Sequence, residues 1–309
     1  MPTTAKKRPQ AAAPAAVDIR AWPHMLDRLH EGDCVAGMRA MPDGCVDCIV
    51  ADPPFNIGRE YPDHDDQQST AAYLAWCVEW LEQCVRVLKK TGSLWIFSSE
   101  EHVSELKVLA EGRYGLALDD AVQLRRGGRI LKPRHHVIWY YTFGVNCPRK
   151  LTRSHTHMLH LVRSTKHHAW YPDAVRLPSA RQEVYGDKRA NPDGRLPDDT
   201  WIIRPIDPRA GFDEPGDVVH VPRICGTHKQ KSATDNQTPE QLIGRVLRLC
   251  TAPGDLVLSP FAGSGTDLAV AKKLGRRHVG FDVSAGYVLQ AKLRLEAAQA
   301  GEPLDGPIG

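Results

Sequence analysis

The chain has 309 residues, with 40 Lys/Arg against 37 Asp/Glu and an ordinary apolar share of 42%. Its length suits one large domain, or one domain plus a lobe, with a sizeable core. No apolar run is long enough to cross a membrane, and the Ala/Pro-rich start MPTTAKKRPQAAAPAA lacks the apolar stretch of a secretory signal.

In chain order, residues 1–20 read as a disordered tail. Leu26–His30 predicts a short strand leading into Gly32-Asp33-Cys34, followed by a helix over Val35–Met41. Asp33 is placed either to cap that helix or to face a ligand at the strand end. Val46–Ala51 is nearly continuous in apolar residues, as expected of a central parallel strand covered on both faces. It runs straight into Asp52-Pro53-Pro54-Phe55. Each proline fixes φ near −65° and removes an N–H, so the strand stops abruptly and the turn after it is stiff. One carboxylate and one aromatic ring are thereby held just past a strand end.

Ala71–Leu88 carries apolar residues at helical spacing (Leu74, Val78, Leu81, Val85, Leu88), with Gly92 beyond its end. Ser93–Phe97 predicts a strand and Glu100–Ala110 a helix. Val137–Phe143 and Met158–Arg163 predict an antiparallel pair joined by a basic loop. Residues 165–224 turn polar, rich in Pro, Gly, Asp and Arg, and predict an inserted lobe. Pro239–Cys250 predicts a helix with Thr238 as its cap. Asp255–Ser259, Thr266–Leu274, His278–Asp282 and Ala285–Ala298 then read strand, helix, strand, helix, and 301–309 reads as a second disordered tail. The alternation indicates an α/β fold with a doubly wound, mostly parallel sheet and an antiparallel hairpin.

The eight cysteines, at 34, 45, 48, 77, 84, 147, 225 and 250, include one C-x-x-C with no second pair at zinc-ribbon spacing. They read as buried reduced thiols rather than a metal site, which fits a reducing cytoplasm. Residues 121–172 hold ten Lys/Arg and seven His with no Asp or Glu, interleaved with Trp139, Tyr140, Tyr141, Phe143, Trp170 and Tyr171. That bias favours a polyanionic partner.

A second concentrated signal is DLVLSPFAGSGTDLAVAKKLGRRHVGFDVS, residues 255–284. A strand ends, Phe261-Ala262-Gly263-Ser264-Gly265-Thr266 turns tightly, and a helix starts. Glycines there let a ligand approach the backbone. Asp282 ends the next strand, where an acid can accept hydrogen bonds from ribose hydroxyls. The third glycine of a nicotinamide-cofactor fingerprint would fall at Leu268, and no Gly-Lys-Ser/Thr follows the turn. A cofactor with adenine and ribose but no pyrophosphate fits best, and S-adenosylmethionine (AdoMet) is such a cofactor.

Together, Asp52-Pro53-Pro54-Phe55 and Phe261-Ala262-Gly263-Ser264-Gly265 resemble the catalytic and AdoMet motifs of the amino-methylating DNA methyltransferases, which modify adenine N6 or cytosine N4. The catalytic motif comes first, as in the permuted β group. The resemblance spans most of residues 24–298, including HEGDCVAGMRAMPDGCVDCIVADPPFNIG and NQTPEQLIGRVLRLCTAPGDLVLSPFAGSGT. Three positions depart from the family: Ser259 stands where Asp is common, Phe55 where Tyr is, and Thr238 where Lys is.

The resemblance implies a Rossmann-like methyltransferase sheet, with a catalytic half over 21–164, target recognition over 165–224 and an AdoMet half over 225–300. It implies that Asp52 and the Pro53 carbonyl accept the amino hydrogens of the target base, that Pro54 holds the geometry and that Phe55 stacks on a flipped base. It puts Asp33 and Cys34 near the adenine of AdoMet, Asp282 on its ribose, and Thr238 and Pro239 at its methionine end, with residues 261–266 against the whole. Arg149, Lys150 and Arg153 are expected at DNA phosphates. Tyr185, Arg189, Arg195 and Trp201 are candidate base readers. Asp at the head of the motif favours adenine; cytosine N4, or an inactive DNA-binding relative, is the alternative. Double-stranded DNA is the expected partner, and a homodimer or a cognate restriction endonuclease is left open.

Overall fold

The computed structural model describes residues 19–61, 63–111, 131–141, 148–149, 151–202 and 237–305. Lys150, residues 1–18 and 306–309, and residues 203–224 of the polar segment lie outside the described residues. Residues 301–305, expected as tail, instead pack back on the sheet's helices: Leu304 is buried, its carbonyl accepts from Gln241 at 3.1 Å, and the Asp305 N–H donates to Glu240 at 3.0 Å.

β2 (Val46–Ala51) is the centre of the sheet because its residues are apolar on both faces, and all but Asp47 are buried. Asp47 escapes the cost of burial through Lys89 Nζ, at 2.8 and 2.7 Å from its two oxygens, and through the Leu256 N–H at 3.0 Å. Around β2 lie β1 (Arg28–Glu31), β3 (Leu88–Ser98), β4 (Lys132–Tyr140), β5 (His155–Val162), β6 (Thr200–Ile202), β7 (Leu256–Ser259) and β8 (Arg277–Asp282), in the order β1-β8-β7-β2-β3-β5-β4-β6. The run β1-β8-β7-β2-β3 is parallel, β5 is antiparallel to β3 and β4, and β6 joins β4 in parallel.

Helices cover both faces. The chain leaves β2 through α2 (Thr70–Val87), which packs with α1 (Cys34–Arg39) and α3 (Val103–Ala110) over one core. It leaves β7 through α6 (Thr266–Lys273), which packs with α5 (Glu240–Cys250) and α7 (Ala285–Ala297) over the other. A short α4 (Ala180–Glu183) lies in the polar segment. A buried ion cluster ties the second layer together: Glu240 meets Lys273 at 3.0 Å and Arg294 at 2.8 Å.

Other expectations change as well. Gly92 lies inside β3, which begins where α2 ends, rather than in a gap between them. The helix at 240 is N-capped by Pro239, not Thr238. The described part of the polar segment also packs onto the sheet: β6 adds an edge strand, and Val175, Leu177 and Trp201 are buried in the core. Some aromatics and one histidine of the basic stretch are internal as well. His160 is fully buried, stacked on Trp95 at 4.3 Å, while Trp139 and Tyr141 are 6% and 8% exposed.

Candidate active site

β2 and β7 are parallel neighbours, with Cys48 opposite Val257 and Ile49 opposite Leu258. Their carboxyl ends deliver Asp52 and Pro260 to the same edge of the sheet. The chain leaves these two strands in opposite directions, so this is the switch point of the doubly wound sheet, where a crevice opens. A cavity of about 350 Å³ lies there, lined by Asp52–Phe55, Gly32–Cys34, Phe261–Ser264, Thr266, Asp267 and Asp282.

The Pro-Pro turn is anchored on both sides. The Tyr73 hydroxyl, from α2, donates to the Pro54 carbonyl at 3.0 Å. Beyond Phe55, Asn56 takes a left-handed φ of +56°. Asp66, 2% exposed, accepts the N–H groups of Asn56, Ile57 and Arg59 at 2.7, 3.0 and 2.9 Å. Asn56 and Gln68 exchange two more bonds, at 3.0 and 2.8 Å. Asp52 Oδ2 accepts from Thr238 Oγ1 at 3.3 Å. Burial pushes the Asp52 carboxyl up to about 6, against the opposing pull of that bond and of the Arg59 charge.

The glycine turn uses its two glycines differently. Gly263 has φ +47°, and a side chain there would meet nothing within 4 Å, so its backbone opens on the cavity. Gly265 has φ +72°, and its missing Cβ would lie 2.7 Å from the Ala291 Cβ; it lets α7 pack close and does not line the cavity. Asp282 clamps the turn: Oδ2 accepts the Gly263 N–H at 2.7 Å and Oδ1 the Ser284 N–H at 2.9 Å. Each oxygen keeps a lone pair for a hydroxyl donor. Open backbone at Gly263 beside a carboxylate on the next strand fits an adenosine cofactor without pyrophosphate.

Asp33 does both things the sequence allowed. Its Oδ1 caps α1 by accepting the Ala36 N–H at 2.8 Å, and the residue lines the cavity beside Cys34. Pro239 is spent on the cap of α5 and, like Gly265, lies outside the lining. Arg153 reaches the cavity rim but pairs with Glu100 at 3.0 Å and with Glu101. Arg149 is exposed. Arg189 grips Asp187 with two bonds of 2.9 Å, and Arg195 meets Asp198 at 2.5 Å. Tyr185 is 80% exposed, whereas Trp201 at 2% is a core residue and reads no base.

Sequence reasoning missed Tyr73, Asp66 and Asp267, and the lining residues Phe97, Trp139, Tyr141, His155 and Thr156. In the sequence Asp267 is an acid in the first turn of a helix, a common place for one. In the fold it is 7% exposed, its Oδ2 accepts from Ser259 Oγ at 2.9 Å, and burial, reinforced by the Asp52 charge, pushes it up to about 7.

The DNA methylase family matches residues 46–293 of this chain. The type II methyltransferase M.HpaI of Haemophilus parainfluenzae is 29% identical over 273 residues, spanning 88% of this chain and 75% of that protein. The DNA adenine methyltransferase YhdJ of Escherichia coli (strain K12) is 28% identical over 268 residues, spanning 86% and 82%. The solved structure of the PvuII DNA methyltransferase, described as cytosine-N4-specific, shares the fold with a TM-score of 0.54 at 14% identity, over 86% of this chain and 85% of that one.

Proposed function

Because the chain belongs to the N6/N4 family of DNA methylases, we propose that it is a site-specific adenine-N6 methyltransferase acting on a base flipped out of duplex DNA. AdoMet is its methyl donor and supplies an electrophilic methyl group. The observation that carries the proposal is the Asp52 carboxylate, held by Thr238 on a rigid turn and facing the same cavity as the open glycine backbone.

The residues account for the chemistry. The lone pair of an adenine amino nitrogen is delocalised into the ring, so the nitrogen attacks only when acceptors draw its hydrogens out of conjugation. Asp52 accepts one N–H and the Pro53 carbonyl the other. The Tyr73 bond to Pro54 and the Asp66 bonds beyond Phe55 keep those acceptors from swinging away. Phe55 stacks on the base and offsets part of the cost of unstacking it from the duplex. Positioning and preorganised acceptors supply most of the rate. Asp33, Cys34, residues 261–264 with Thr266, and Asp282 hold the adenosine, with Thr238 toward the methionine end. Arg149, Lys150 and Arg153 meet phosphates, and residues 165–224, with Tyr185, Arg189 and Arg195, read the target sequence.

Asp at the head of the motif supports adenine over cytosine, as does the similarity to YhdJ. The similarity to M.HpaI supports a role linked to restriction. The test is to methylate duplex DNA with the purified chain, digest it and identify the modified nucleoside. N6-methyladenine is the expected product, and N4-methylcytosine would replace this reading with the cytosine one. Asp52→Ala should cost about 10²–10³ in rate while AdoMet still binds. No transfer by the wild type, with AdoMet bound, would make the chain an inactive relative.

A further inference from the structure

Asp267 is a buried carboxylate that forms no ion pair among the described residues. It lines the cavity beside the glycine turn, and the buried Ser259 hydroxyl, at 2.9 Å, fixes one of its oxygens without neutralising it. Among the described residues no ion pair involves Asp267 or its neighbour Asp52. Arg294, the guanidinium that acts on Asp267 through space, is committed elsewhere, donating to Glu240 at 2.8 Å and to Thr266 at 2.7 Å. Burial pushes the carboxyl up to about 7, as expected of an anion withdrawn from water without a cation. Buried charges in proteins are paired. Here no described cation of the chain takes that place, and the carboxylate faces a ligand cavity.

We propose that Asp267 is a cofactor-binding residue whose carboxylate is the counter-ion for the cationic methionyl half of AdoMet, the half that bears the ammonium and the sulfonium. The proposal rests on the reading of this cavity as the AdoMet site. It explains why Asp267 lies on the side of the glycine turn that also carries Asp52: both line the cavity, and the Asp52 charge is felt at Asp267. It divides the cavity's carboxylates by task. Asp282 is bonded to two backbone N–H groups, whereas among the described residues Asp267 is bonded only to a hydroxyl and keeps its negative charge for a cation.

The experiment is calorimetric titration of the full chain, above neutrality, with AdoMet and with 5′-methylthioadenosine. The second ligand keeps adenine, ribose and a neutral thioether and lacks the methionyl group. Asp267→Asn keeps the shape and an acceptor for Ser259. It should weaken AdoMet by about tenfold or more, the scale of one charge-assisted contact, and leave methylthioadenosine within about twofold. Asp267→Ser should do the same. The exchange Ser259→Asp with Asp267→Ser returns a carboxylate from the other member of the pair and should recover most of the AdoMet affinity. Unchanged AdoMet affinity in Asp267→Asn, or equal weakening of both ligands, would overturn the assignment while leaving the cavity as the cofactor site. Failure of the wild type to bind either ligand would overturn the cavity reading itself.

Discussion

Thr238 Oγ1 donates to Asp52 Oδ2 at 3.3 Å, joining the approach to α5 to the end of β2 across 186 residues of chain. The bond favours the charged form of a carboxyl that burial pushes up to about 6. An acceptor for amino hydrogens must be ionised. The rate of methyl transfer is therefore expected to be full above about 6 and to fall as the pH drops through it. Thr238→Val removes a bond to the charged form, so the carboxyl rises further and the acid limb moves to higher pH. Single-turnover rates measured against pH in both proteins check this. An acid limb that stays in place would show that the hydroxyl does not act on the carboxylate.

Gly263→Val tests the open backbone of the second turn. The position has φ +47°, where a branched residue is strained, and its side chain would enter the space the cavity leaves free. AdoMet binding should fall sharply. The fold should persist, because no neighbouring atom lies within 4 Å of the added Cβ. Calorimetry showing wild-type affinity, with an unchanged circular dichroism spectrum, would move the cofactor away from this turn.

Much of this arrangement was legible because it depends on local chemistry. The continuous apolar run of β2, the double proline after it and the glycines between β7 and α6 each have one structural use. The other parts of the site depend on meetings that no local pattern encodes. Thr238 has the composition of a helix cap, and only the pairing of β2 with β7 brings it to Asp52 instead. Asp66 sits in an irregular polar loop, and its use emerges only when that loop folds back on Asn56, Ile57 and Arg59. The basic, aromatic stretch divides between core and surface for a related reason. On paired strands alternate residues face inward, so Trp139, Tyr141 and His160 pack inside while Lys132 and Arg134 stay exposed. Trp201 is drawn into the core by β6, a strand of three residues with no pattern long enough to read.

The cations expected at DNA phosphates should differ in their share of the salt dependence. Arg149 is exposed, and Lys150 is its neighbour in the sequence. Replacing both with Ala should weaken binding to all sequences alike and lower the slope of log K against log salt by about 0.9 for each phosphate they neutralise. Arg153 pairs with Glu100 and Glu101. Its replacement should change the slope less, because part of its charge is already balanced. Equilibrium binding over a range of salt checks both, and an unchanged slope in the first variant would take those residues off the DNA.

Asp66 offers the clearest separation of positioning from chemistry. Its carboxylate is the acceptor for three loop amides, those of Asn56, Ile57 and Arg59, at 2.7, 3.0 and 2.9 Å, and it lies outside the cavity lining. Asp66→Ala leaves those three N–H groups to find water. A donor left buried without a partner costs about 1–3 kcal/mol, and the loop is partly open to solvent, so the loss of stability should sit near the lower end for the set. The larger effect is expected on rate. Asn56 holds a left-handed φ of +56° immediately after Phe55, and without the clamp it can relax and let the Pro-Pro-Phe turn shift. A displacement of about 1 Å at a reacting group can cost about 10²-fold, so kcat should drop by about that order while the protein stays folded. Asp66→Asn keeps one carbonyl acceptor and should fall between the two. Hydrogen exchange at Asn56, Ile57 and Arg59, read beside kcat, decides the matter: faster exchange and a lower kcat should appear together. Wild-type exchange at these amides in Asp66→Ala would mean that the carboxylate does not hold the loop, and the turn would owe its rigidity to the two prolines, Tyr73 and the Asn56–Gln68 bonds.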